Sequence, residues 1–221
     1  MTDSRVRVLQ RICERLIVDV GCAARVDVVA GHPRLKVDQR AAQQRAHREL
    51  TLVGWRVVEG RGHSLTVMGW SKDNLAFRLR TLLLAAGMLR HERHHTVHIA
   101  ISAAERHLSA DPAAPLPDVL QAAVGQVARE LRWPARLKDV VDLDRRTVDP
   151  AIAAQLEHIR RLEIEIRQLC DQHLRAATKA VEVFWKCRRA GAITSETARY
   201  AAAQEALRLD AQPLTTAPPA A

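Results

Sequence analysis

Aromatic residues are scarce in this chain: of 221 residues, one is Tyr, two are Phe and four are Trp, 3% in all. Sheet-based RNA readers stack bases on aromatic side chains, so this poverty argues against that mode of recognition. Lysine is rarer still, five against 29 arginines. Cysteine is limited to Cys13, Cys22, Cys170 and Cys187, with no CxxC pair and no regular framework. That spacing argues against a disulfide scaffold and reads as reduced, buried thiols. No apolar run approaches the ~18 residues of a membrane span, and the first thirty residues contain no signal-peptide core, so the expectation is a cytoplasmic protein with reduced thiols. With 48% hydrophobic and 27% charged residues the composition is that of a globular protein long enough to bury a core.

What the chain has in excess is positive charge, a formal +9. Abundant Arg with Ala and Val is also what a GC-rich genome writes by codon bias, so the total says less than its distribution. Residues 1 to 108 carry 18 Arg and Lys against 10 Asp and Glu, net +8, while 109 to 221 carry 16 against 15, net +1. Codon bias acts evenly along a chain, so the asymmetry points to a basic N-terminal half. Eight of the ten histidines fall there too, and their protonation below pH ~6.5 adds to it.

Proline marks the boundaries. SADPAAPLP, 109 to 117, interrupts any regular helix or central strand and reads as a linker. AQPLTTAPPAA, 211 to 221, reads as a disordered tail. The sequence thus predicts a basic domain over 1–108, a proline-rich linker over 109–117, a helical region over 118–210 and a tail over 211–221.

Within the basic half, Val6, Leu9, Cys13, Leu16 and Ile17 share a helical face. ARVDVVA, 24 to 30, alternates as a strand, and Gly31, His32 and Pro33 read as its end. Asp38 is placed to cap a helix with Ala42, Ala46, Leu50 and Val53 on its apolar face, stopped by Gly54. WRVVE and LTVMGW read as a hairpin about GRGHS. Ser71 can cap a helix burying Leu75, Leu79, Leu82, Leu83 and Ala86. TVHIAIS, 96 to 102, alternates again. Strand, helix, strand, strand, helix, strand is the split βαβ, or ferredoxin-like, arrangement, so the expected fold class is α+β. Its uncovered sheet face is expected to show Arg56, Met68 and Trp70, together with Thr96 and His98.

Beyond the linker every pattern is helical. A helix over 118 to 132 is followed by an ambiguous stretch, 135 to 148. From Pro150 a period near 3.5 runs through Ile152, Ile159, Ile166, His173 and Ala180, with Leu162, Leu169, Ala176 and Val183 interleaved, giving one helix of about 60 Å at 1.5 Å per residue. Thr194 starts a last helix. Ile159, Leu162, Ile166 and Leu169 stand where a coiled coil places its seam, and the sequence therefore predicts a homodimer through them.

Candidates for chemistry are few. His91, His94, His95 and His98 are three and four apart, and on an unbroken helix His91, His95 and His98 would offer zinc three nitrogens. The alternation of TVHIAIS splits that set, so no metal is expected. EGRGH lacks the flanking helix and the Lys of a phosphate loop. No pair of carboxylates stands at a catalytic spacing, and no cofactor, acid or base is assigned. For nucleic acid, the helix from Asp38 exposes Arg40, Gln43, Gln44, His47 and Arg48, and the open sheet adds Arg56 and Trp70; Arg forks hold phosphate oxygens and Gln bonds bases or sugars. Trp185 and Phe184 suit either an interface or an internal core. Two functional readings follow: a non-enzymatic cytoplasmic protein that contacts the backbone of DNA or RNA and assembles through its long helix, or an interaction scaffold whose open sheet face binds protein.

Overall fold

A computed structural model describes residues 4–131, 149–191 and 194–208; the ambiguous stretch 135–148 and the proline-rich tail lie outside them. The described residues form two compact units, 4–85 with 149–164, and 86–131 with 165–191 and 194–208. The chain is mixed α/β and mostly helical, with one four-stranded antiparallel sheet. No helix among the described residues is long and apolar enough to cross a membrane.

The first unit begins with α1 (Ser4–Val20), followed by β1 (Ala24–Val29) and β2 (His32–Val37). The expected strand end at Gly31, His32 and Pro33 is in fact a tight turn. Ala30 and Gly31 take φ of 49° and 77°, the two successive left-handed residues of a two-residue hairpin, and the chain returns at once as a strand. Pro33 is tolerated because pairing of β2 with the next strand runs only over Arg34–Lys36, leaving no ladder bond for its missing N–H to break. Asp38 does not cap α2 (Arg40–Val53); its backbone N–H donates to the Ala23 carbonyl and its Oδ1 accepts from the Ala23 N–H, both at 3.1 Å, so it pins the base of the hairpin.

β3 (Trp55–Gly60) and β4 (Ser64–Trp70) close the sheet in the order β1-β2-β4-β3. The connection is ββαββ, which corrects the ferredoxin-like order. α1 and α2 pack on one face, and Leu9, Leu16, Leu35, Leu50, Leu65 and Val67 make the core there. The described α1–sheet–α2 layer leaves the opposite strand positions facing outward. Gly54 ends α2 with φ of 113°; a Cβ at this position would stand 2.4 Å from Leu75 Cδ2, so glycine is required by backbone and space together. Ser71 Oγ caps α3 (Lys72–His91) through the Asn74 N–H at 3.3 Å, as its position suggests. From α3, Arg78 donates to the Val53 carbonyl at 2.6 Å and to buried Glu163.

TVHIAIS is not a strand. It lies within α4 (Arg93–Ala110), where Thr96, Val97, Ala100, Ile101, Ala104 and Leu108 bury one helical face. Val97 and Ile101 are four apart as well as alternating, so the same residues satisfy both periods. Within the 109–117 stretch only 111–115 is non-helical, a short turn from α4 into α5 (Leu116–Leu131) inside the second unit. Trp185 Nε1 donates to the Ala114 carbonyl at 3.2 Å and Arg189 to that of Ala113 at 2.8 Å, with the guanidinium 4.9 Å above the Trp185 ring. Trp185 thus anchors this turn. α6 (Pro150–Arg189) is the expected long helix, 40 residues, and α7 (Ser195–Arg208) docks through Ser195 and Arg199 on Glu105 of α4.

The seam of α6 departs from expectation. Ile159, Leu162 and Ile166 are buried within the chain and Leu169 is half-buried. The heptad stripe is occupied internally, which leaves those three side chains no surface to offer a second subunit.

Candidate nucleic-acid interface

The side chains proposed for nucleic-acid contact fall on two opposite sides of the first unit. On α2, Arg40, Gln44 and Arg48 are exposed and four apart, with His47 beside them, 3.6 Å from Glu59. Neither Arg40 nor Arg48 has an ion-pair partner among the described residues; Arg48 Nε donates to the Gln44 carbonyl at 3.4 Å, a contact within the helix. Gln43 does not belong to this face. It is buried, with Nε2 donating to the Ser64 carbonyl at 3.3 Å, and so fastens α2 to the sheet.

Arg56 lies on the far side, on the open face of the sheet. Trp70 is not with it. Arg56 pairs with Gly69 but Val57 with Val67, leaving Met68 as an extra residue. This β-bulge reverses the alternation of β4, and brings Trp70 to the helix-covered face, where its ring stacks on buried Trp55 with centroids 3.6 Å apart and planes 16° from parallel. Among the described residues the open face therefore has no tryptophan to stack a base.

What the open face does carry is a set of cations that the hairpin brings together. Burial alternates along β2, with Pro33, Leu35 and Val37 inward and His32, Arg34 and Lys36 outward. Cross-strand register places Arg25 opposite Lys36 and Asp27 opposite Arg34. Arg34 grips Asp27 with two parallel bonds of 2.8 Å, and Lys36 Nζ stands 3.8 Å from the same carboxylate. The Arg34 bonds hold the Asp27 carboxyl below the usual carboxylate range against the opposing effect of burial, with Lys36 and Arg25 adding to the pull. Arg25, Arg34, Lys36 and Arg56 thus share one face with a single acid among the described strand residues, Asp27, while Thr66 and Val58 occupy the next positions of the Asp27–Arg34 row. The Arg25–Lys36 pair at the ~4.8 Å strand spacing, with Arg34 and Arg56 elsewhere on the same face, suits a polyanion, whose phosphates need charge and donors rather than a shaped pocket.

Sequence reasoning missed Arg25, Arg34 and Lys36. The signal was present, since HPRLKV alternates apolar and polar at every position; reading Gly31, His32 and Pro33 as a terminator concealed it.

The histidines are not assembled. His91 ends α3, and His94, His95 and His98 lie on α4 after a break at Glu92; all four are exposed. Among the described residues no group of three or more His, Cys, Asp or Glu side chains is placed to hold a metal. Burial pushes up the thiols of Cys13, Cys22 and Cys170, which disfavours the nucleophilic thiolate. Comparison with protein-family models, with curated proteins and with solved structures gives no match to this chain.

Proposed function

We propose that the protein is a non-enzymatic, cytoplasmic nucleic-acid-associated protein whose open sheet face holds the sugar–phosphate backbone of DNA or RNA. The observation that carries this reading is the placement of Arg25, Arg34, Lys36 and Arg56 on one sheet face, where Asp27 is the one carboxylate among the described strand residues. Phosphate contact from such a surface is sequence-independent and depends on counterion release. The stacking of Trp70 in the core favours backbone contact over base readout. Arg40, Gln44, His47 and Arg48 form a second, weaker surface on the other side of the same unit.

The test is binding of the intact protein to a fluorescent duplex at about 50 mM salt, where non-specific contacts give micromolar affinity. Affinity falling steeply as salt rises supports the reading; no binding in that range removes it. The interaction-scaffold reading is favoured by one feature, the exposed Phe77 and Leu84 two turns apart on α3, and it predicts binding to protein with little response to salt.

A further inference from the structure

Edge strands of a sheet present unpaired N–H and C=O groups, and natural proteins usually blunt them with proline, lysine, a bulge or a covering element. The two edges of this sheet are treated differently. β3 has the irregularity against β4 and ends in Gly60. β1, ARVDVV, has no proline, lysine or bulge, and it ends in Val28 and Val29, which are 60% and 42% exposed. Ile17 and Val18, exposed by 48% and 82%, lie on α1, the helix that packs against β1 and β2.

The direction of the free backbone groups follows from the hairpin. The Asp38 N–H donates to the Ala23 carbonyl, which makes 23 and 38 a hydrogen-bonded pair. Continuing the register, the pairs 25–36, 27–34 and 29–32 bond within the hairpin. The N–H and C=O groups of Ala24, Val26 and Val28 therefore point away from β2, and among the described residues no strand pairs with them.

We propose that this edge binds a second copy of the chain, β1 against β1 in antiparallel twofold pairing centred on Val26. Outward groups at 24, 26 and 28 permit three central registers, and charge discriminates among them. Centring the axis on residue 25 sets Arg25 against the partner's Arg25, and centring it on residue 27 sets Asp27 against the partner's Asp27. Both place like charges directly opposite, which destabilises a sheet. Centring on Val26 sets Arg25 against the partner's Asp27 and Asp27 against the partner's Arg25, two reciprocal ion pairs on the open face. On the other face it sets exposed Val28 against Ala24. Each of the pairs 24–28, 26–26 and 28–24 exchanges two backbone bonds. The interface is isologous, as a closed dimer requires. It joins the two sheets into eight strands, so that the cationic faces of both copies become continuous. The seam of α6 plays no part in it, and the proposal does not depend on nucleic-acid binding.

The experiment is sedimentation of the purified full chain, free of nucleic acid, at tens of micromolar. The expected mass is twice the 24.6 kDa of the chain. Arg25→Glu places two carboxylates together at each ion pair; Arg25 is exposed and makes no contact the fold needs, so the folded signal in circular dichroism is retained while dimer dissociation rises at least tenfold. Val26→Pro removes an N–H that points away from β2, so it breaks the edge without breaking the hairpin, and gives the same result by a different route. A mass of one chain for the unmodified protein overturns the proposal. So does a dimer that persists undiminished in both variants.

Discussion

The ring of Trp70 lies face to face with that of Trp55, 3.6 Å between centroids, and the two residues are also direct cross-strand partners in β3 and β4. A stack of this kind adds about 0.5–1.5 kcal/mol to the burial of the rings themselves. Trp55 is almost wholly enclosed, and Trp70 packs on the same core as a half-buried cover.

Trp70→Ala uncovers Trp55 and leaves a cavity, so it should destabilise the protein by about 2–4 kcal/mol, somewhat below the range for a fully buried tryptophan. Urea unfolding followed by circular dichroism measures this. Its affinity for nucleic acid under native conditions should stay within twofold of the unmodified protein, because the ring does not reach the open face. A large loss of affinity with unchanged stability would return Trp70 to the binding surface.

Glu163, on α6, is 1% exposed and its charge is met by Arg78, which also holds the last carbonyl of α2. Removing one partner of a buried pair strands the other charge, at a cost of roughly 3–5 kcal/mol. Glu163→Ala should therefore be severely destabilising, whereas the double substitution Glu163→Leu with Arg78→Met should recover most of the loss. Chemical denaturation of the single and double variants checks it; additive losses would show that the two side chains act independently.

The order and type of most elements were legible in the sequence, and the exceptions have specific causes. The hairpin of β1 and β2 was hidden because Gly31 and Pro33 are usual terminators, while here the glycine turns the chain and the proline pairs with Val28 but lies just before the residues that β2 pairs with β4. TVHIAIS was misread because Val97 and Ile101 fit both a strand and a helix, and only their burial beside Ala100 and Ala104 distinguishes the two. The inward turn of Trp70 depends on a one-residue bulge that strict alternation cannot foresee. Arg40, Gln44 and Arg48 were legible as an exposed face because helical spacing fixes it locally. Arg25 and Lys36 become neighbours only through pairing, which requires the strand that was missed.

His173 is buried on α6, with Nδ1 2.8 Å from Thr96 Oγ1 and Nε2 2.8 Å from the Leu89 carbonyl. Desolvation lowers its pKa below the ordinary 6.5, partly opposed by the Leu89 carbonyl, with Arg93 lowering it further and Glu92 raising it. In the window between the lowered folded value and 6.5 the unfolded chain binds the extra proton, so stability rises with pH. The contribution is therefore complete above about pH 6.5 and is lost as pH falls toward the folded value. Denaturation midpoints from pH 7.5 to 5 should decline through this window, and His173→Gln, lacking the titration, should flatten the slope even if it is less stable at neutral pH. An unchanged slope would assign the decline to other groups.

The most direct measurement is the salt dependence of duplex binding by the intact protein, compared between two charge-reversed variants. Each phosphate contact contributes about 0.9 to the slope of log affinity against log salt. Lys36→Glu with Arg56→Glu, on the open sheet face, should reduce the slope by about 2 and weaken binding at least tenfold at low salt, while Arg40→Glu with Arg48→Glu, on α2, should have the smaller effect. Equal slopes for the unmodified protein and the sheet-face variant would contradict the assignment of the phosphate backbone to the open face of the sheet.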